Sequence, residues 1–137
     1  MANQLEKAGL ISMLGNWIAS NAGNNLLLLI FSITLISIFL SEVMSNVAQV
    51  IVFAPVIAGM ADSLHLNPIL LGLPMTLAAS CASMLPMGTP PNAIVFASGH
   101  LQLKDMIKTG FVMNIICVIL ITIFCYYYLP MIIPDIK

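Results

Sequence analysis

The sequence predicts an all-α integral membrane protein: a re-entrant helical hairpin, a broken transmembrane helix and a final transmembrane helix. Three observations carry this. Charge is scarce, with four lysines, five acids and no arginine among 137 residues, where a soluble domain carries roughly a quarter charged residues. A polar knot, Ser41-Glu42-Val43-Met44-Ser45-Asn46, interrupts one apolar stretch, and Gly88-Thr89-Pro90-Pro91 interrupts another. With 61% hydrophobic residues and a mean hydropathy of +1.08, nearly the whole chain belongs in or at a bilayer, as one membrane region over 1–137.

The few charges divide the chain into uncharged runs at 8–41, 43–61, 63–103 and 109–134. Residues 5–20 read as a helix with Lys7 at its start and Trp17 near its end, where an interface suits the indole. The opening MANQLEKAG pairs an acid with a base and lacks the pattern of a cleavable signal peptide. Asn21-Ala22-Gly23-Asn24-Asn25 makes a polar turn.

Residues 26–61 form the predicted hairpin. Its arms, Leu26–Leu40 and Val47–Ala61, are apolar and meet at the polar knot. Each arm reaches only roughly 22 Å at 1.5 Å per residue, against a hydrocarbon core of about 30 Å. Two short arms with a polar tip suit a loop that enters and leaves on one face. Two tilted spans with Glu42 at a surface fit the same residues. If Glu42 lies at depth it needs a partner, because a carboxylate in lipid is stable only when paired.

Asp62–Pro68 is a return loop, with Asn67-Pro68 favouring a turn and a helix start. Residues 69–99 form the broken helix. Its first half, 69–84, carries Ala78, Ala79, Ser80, Ala82 and Ser83, small residues that permit close helix packing. Pro90 and Pro91 donate no backbone N–H, and Pro90 drives Thr89 out of the helical region. Carbonyls near Gly88 are thus left without helical partners. Lipid tolerates that only where the backbone faces protein or a wet cavity. Such breaks form the ion and substrate sites of secondary transporters. An ordinary inter-helix loop is the alternative. Leu103–Thr109 is short and amphipathic, and 110–129 is a spanning helix ending in Tyr126-Tyr127-Tyr128 at an interface. Lys104 and Lys108 place the start of that helix in the cytoplasm, and counting back returns Lys7 there too.

Other classes fit poorly. A net charge of −1 without arginine argues against nucleic acid as a partner. Cys81, Cys117 and Cys125 form no ligand spacing and read as small packing residues; His65 and His100 read as loop residues. No Ser–His or Cys–His pairing and no paired carboxylates suggest an enzyme.

Three stretches, SEVMSNVA (41–48), ASCASMLPMGTPPNAIVFASGHL (79–101) and KDMIKTGFVMNI (104–115), resemble the divalent anion–sodium symporter family, which carries dicarboxylates, citrate or sulfate. The resemblance runs along essentially the whole chain. Ser83 stands where the family usually has Phe, Val47 where Thr is common, and Gln49 where Thr is usual.

The resemblance implies a partial inverted-repeat transporter: the second repeat's hairpin, broken helix and final helix. It implies a multi-pass protein of the cell membrane, with no cofactor beyond Na⁺ as coupling ion. The partners implied are a small anion, the lipid bilayer, an N-terminal half of the transporter and a second copy in a homodimer. By similarity, Ser41, Met44, Asn46 and Gly88 form a sodium site. Ser45, Asn46, Val47, Thr89 and Pro90 form one half of the substrate site. Hydroxyl and amide groups can donate to a carboxylate, and the Asn46 carbonyl oxygen suits a hard cation. Helix capping is the alternative role of Ser45 and Asn46. Val47 leans the substrate to C4-dicarboxylates such as succinate, with sulfate or citrate as alternatives. A non-transporting subunit or inhibitory fragment that packs on a full-length transporter is the competing reading.

Overall fold

The computed structural model describes residues 25–132, and every regular element among them is helical. The helix expected at 5–20 and the last residues of the tail lie outside the described residues.

Helix α1 (Leu26–Ser41) starts where Asn25 Oδ1 accepts from the Leu27 N–H at 3.2 Å. It buries Leu29, Ile33, Ser37 and Ser41 with Ile30, Thr34 and Ile38, two rows four residues apart that make one face. Ser32 and Thr34 donate to their own helix carbonyls four residues back, each at 2.7 Å, so their hydroxyls need no external partner. After a turn at 42–45, α2 (Asn46–Ser63) is capped by Ser45 Oγ, which accepts from Ala48 N–H. Its end is a left-handed cap at His65, φ 54°, with Leu66 N–H donating to Ala61 O and His65 N–H to Asp62 O. His65 therefore terminates a helix.

Helix α3 (Pro68–Ala79) opens with proline at its first position and Asn67 as cap. It ends earlier than the apolar pattern over 69–84 predicts, at Ala79, and regular helix resumes only at α4 (Pro90–Ala97). Helix α5 (Leu103–Tyr127) is continuous. The amphipathic segment at 103–109 is thus the first two turns of the final helix, which begins seven residues before the expected 110. Helix α6 (Leu129–Ile132) is one further turn.

The hairpin arms pack chiefly on α3, which both contact far more than they contact each other; α5 closes against α1 and α3. Leu29, Ile33, Phe53, Ile57, Leu71 and Met75 fill the seam. Gln49 ties α2 to α1. It is fully buried, and its Nε2 donates to Ser37 O at 2.9 Å and Ser37 Oγ at 2.6 Å, while Ser37 donates on to Met75 O. A side chain of Gln length is what reaches from α2 across to α1.

Among the described residues, two helices are long and apolar enough to cross a membrane: α2, with 18 residues, and α5 running on through α6. Helix α1, with 16, reaches roughly 24 Å at 1.5 Å per residue. The outer face of α5 exposes Val112, Ile116, Ile119, Leu120 and Ile123, side chains that suit lipid. The protein is an all-α membrane protein.

Candidate functional site

Glu42, which local sequence leaves undecided, has its partner. Its side chain is 3% exposed. Oε1 accepts from the backbone N–H groups of Ser83 and Met84, both at 2.9 Å, and Oε2 from Leu85 N–H at 2.8 Å. These are N–H groups that α3 would have used had it continued, so the hairpin turn caps the unwound stretch in place of the helix. Asn114 Nδ2 donates a fourth bond, to Oε1, at 2.6 Å. A carboxylate offers acceptors only, and every partner here is a donor.

The unwound backbone is tied on its other side as well. Asn92 Nδ2, from α4, donates to the carbonyls of Ala82 and Leu85, each at 3.2 Å. Ser83 Oγ donates to Asn114 Oδ1 at 3.0 Å. A Cβ built on Gly110 would lie 2.5 Å from Ser83 O and 2.6 Å from Met84 Cα, so α5 approaches the break as closely as a glycine allows. Beside Ser83, a cavity of about 260 Å³ reaches to Val95, Met106 and Met113. A larger side chain at position 83 would enter it.

Next to this network lies a cleft of about 670 Å³ that brings together Ser45, Asn46, Val47, Gly88, Thr89 and Pro90. All five residues expected on the substrate side line it. Ser45 is exposed, and its oxygen already serves as the cap of α2, which leaves its O–H proton free to donate outward. Thr89 is extended, φ −142° and ψ 152°, and makes no cap bond with its side chain. Val47 is 70% exposed and adds no hydrogen-bonding group. The N-termini of α2 and α4 both open into the cleft, and the dipole at a helix N-terminus favours anions, although Pro90 and Pro91 give α4 no N–H donors in its first two positions. No lysine stands among the described residues lining it.

The four residues expected at sodium also converge. Ser41 Oγ lies 2.8 Å from Asn46 Oδ1 and beside Ala79 O, two acceptors that compete for its single proton. A Cβ on Gly88 would meet Ser41 O at 3.4 Å and Glu42 Oε2 at 3.3 Å. Met44 is buried in the turn between Ser41 and Asn46. No N–H among the described residues donates to the carbonyls of Ser41, Met44 or Gly88. Uncommitted carbonyl oxygens beside an amide oxygen are the donor set a hard cation takes.

The sequence profile of the sodium:sulfate symporter transmembrane region matches residues 1–134. The chain belongs to this family.

Among the symporters that resemble it is the sodium-dependent dicarboxylate transporter SdcS of Staphylococcus saprophyticus, 35% identical over 130 residues, 95% of this chain and 25% of that protein. The Na(+)/dicarboxylate cotransporter 3 of Rattus norvegicus is 41% identical over 123 residues, 90% of this chain and 20% of that protein. SdcS of Staphylococcus aureus is 38% identical over 132 residues. The chain thus spans a quarter or less of the length of these relatives.

The symporter resemblance supplied neither Glu42 nor Asn114 as site residues, nor a role for Asn92. One signal was available for the first two: each is a polar side chain inside an apolar run, which in a membrane calls for a partner. Neither names that partner, which lies 72 positions away in sequence.

Proposed function

We propose that the chain supplies one half of the ligand site of a sodium-coupled symporter for divalent anions, with C4-dicarboxylates such as succinate as substrates. The observation that carries this is the cleft in which two helix N-termini, the Ser45 hydroxyl, the Asn46 amide and Thr89 meet without a basic side chain. Donors and helix ends suit a carboxylate, but a dianion there lacks a countercharge. Sodium bound by Ser41, Met44, Asn46 and Gly88 provides it. The same ion joins the hairpin turn to the break, so anion affinity rises with sodium through a coupling free energy. The names of the relatives support sodium and dicarboxylates as the ligands. The polar tip lies beside the break, which supports the hairpin as re-entrant. The complete protein is read as a multi-pass homodimer of the cell membrane whose remaining portion closes the substrate site.

The test is succinate uptake into proteoliposomes holding the complete transporter that carries this segment. Uptake should saturate and depend on sodium, and Ser45→Ala should raise the succinate KM about tenfold through loss of one charge-assisted hydrogen bond. Uptake indifferent to sodium would remove the reading.

A further inference from the structure

The polar residue at the middle of α5 belongs to neither ligand set. Asn114 is fully buried, in a stripe with Met106, Gly110, Val118, Thr122 and Cys125. Its amide is used at both ends: Nδ2 donates to Glu42 Oε1 at 2.6 Å, and Oδ1 accepts from Ser83 Oγ at 3.0 Å. It therefore grips the hairpin turn and the unwound backbone together.

We propose that Asn114 is a positioning residue for the sodium site, acting through the Glu42 carboxylate; this rests on the sodium-coupled reading above. Glu42 Oε1 takes three N–H donors, and Oε2 takes Leu85 N–H while facing Gly88. The terminal torsion of a Glu side chain is broad and roughly two-fold, so donors from different directions are what fix its plane. Two donors on Oε1 come from the unwound backbone itself and move with it. Asn114 is the one that comes from a separate, continuous helix. Its bond holds the carboxylate in a fixed frame, and with it the approach of Gly88 to Ser41 O, where the ion's oxygens converge. Groups that orient ligands from behind affect metal affinity strongly without touching the metal.

The complete transporter carrying this segment, reconstituted in proteoliposomes, tests this with sodium and succinate as probes. Asn114→Ala should raise the sodium concentration for half-maximal uptake roughly tenfold. The succinate KM at saturating sodium should stay near the parental value. Ser83→Ala removes the hydroxyl that donates to Asn114 Oδ1 at 3.0 Å, with only a long 3.4 Å approach to Gly110 O besides, and should shift sodium in the same direction by about threefold. The double variant should be no worse than Asn114→Ala alone, because both act through one chain of bonds. Val118→Ala removes buried volume from the same face, where Val118 packs with Ile38 and Ala78. It should lower thermal stability and leave the sodium dependence in place.

The inference is overturned if Asn114→Ala and Ser83→Ala both keep sodium dependence within about twofold of the parent, less than one hydrogen bond is worth. It is equally overturned if Val118→Ala shifts sodium as far as Asn114→Ala. Where Asn114→Ala does not insert, Ser83→Ala decides. A parental protein without sodium dependence would instead remove the functional reading, and this inference with it.

Discussion

The Asn114 amide meets the Glu42 carboxylate at 2.6 Å, joining positions 72 residues apart inside a membrane protein. Around that contact the hairpin turn, the interrupted helix and the final helix become one unit. Glu42 makes four hydrogen bonds, three of them to backbone. Its Asn114 bond reaches α5, a continuous helix separate from both the turn and the break.

Glu42→Gln should be poorly tolerated although it keeps shape. An amide must turn its NH₂ toward either Oε1's three donors or the Leu85 N–H, and a donor facing a donor leaves buried groups unpaired. Each such group costs on the order of 1–3 kcal/mol. The melting temperature of the solubilised protein should fall clearly. A midpoint equal to the parent's would mean that these bonds contribute little to stability.

Gly110→Ala should be among the more damaging single-methyl changes in the described chain. The added Cβ meets backbone of Ser83 and Met84 at 2.5–2.7 Å, and backbone cannot swing aside like a flexible side chain. Overpacking of this kind costs about 1–3 kcal/mol. Gly59→Ala makes the comparison: nothing lies within 4 Å of its Cβ, and in the α2 interior it should be neutral or gain up to about 1 kcal/mol. Paired thermal melts check both, and equal midpoints would refute the close approach of α5 to the break.

Asn92→Ala should loosen α4. That helix buries none of its side chains, and Asn92 is what ties it to Ala82 and Leu85. Amide hydrogen exchange over 93–99 should speed up by roughly tenfold, the equivalent of about 1.4 kcal/mol of local opening. Exchange unchanged in that stretch would show that α4 is held by other contacts.

The sequence marked both interruptions but misjudged the extent of one. Gly88–Pro91 reads as the break, yet α4 already begins inside it, at Pro90, because proline suits the first helical position. Nothing in 80–84 forbids helix, and Pro86 comes just after it, so the apolar pattern carried the first half to 84. The chain leaves the helix after Ala79 because Glu42, about 40 positions earlier, satisfies the N–H groups of 83–85. A tertiary partner overrode the local pattern. The start of α5 was placed late for a related reason: Lys104, Asp105 and Lys108 broke the apolar run without breaking the helix. The residues expected on the substrate side meet in the cleft because all lie within three residues of a turn or break that was visible locally. The supporting groups behind them were not legible, since a lone Glu, Asn or Ser in an apolar run does not name its partner. Gln49 is the same case on a smaller scale, with its partners Ser37 and, through it, Met75 on two other helices.

The order in which these groups leave the ribosome has a consequence for membrane insertion. Glu42 emerges 41 residues before its first N–H partner and 72 before Asn114. Through the first 41 of those residues the nascent hairpin carries a carboxylate with none of these four partners, and a bare carboxylate is not stable in hydrocarbon. The hairpin must therefore wait at the lipid headgroups or in a wet translocation channel and sink to its final depth late. Completion of the Glu42 network therefore waits until α5 has been made and brings Asn114 to it.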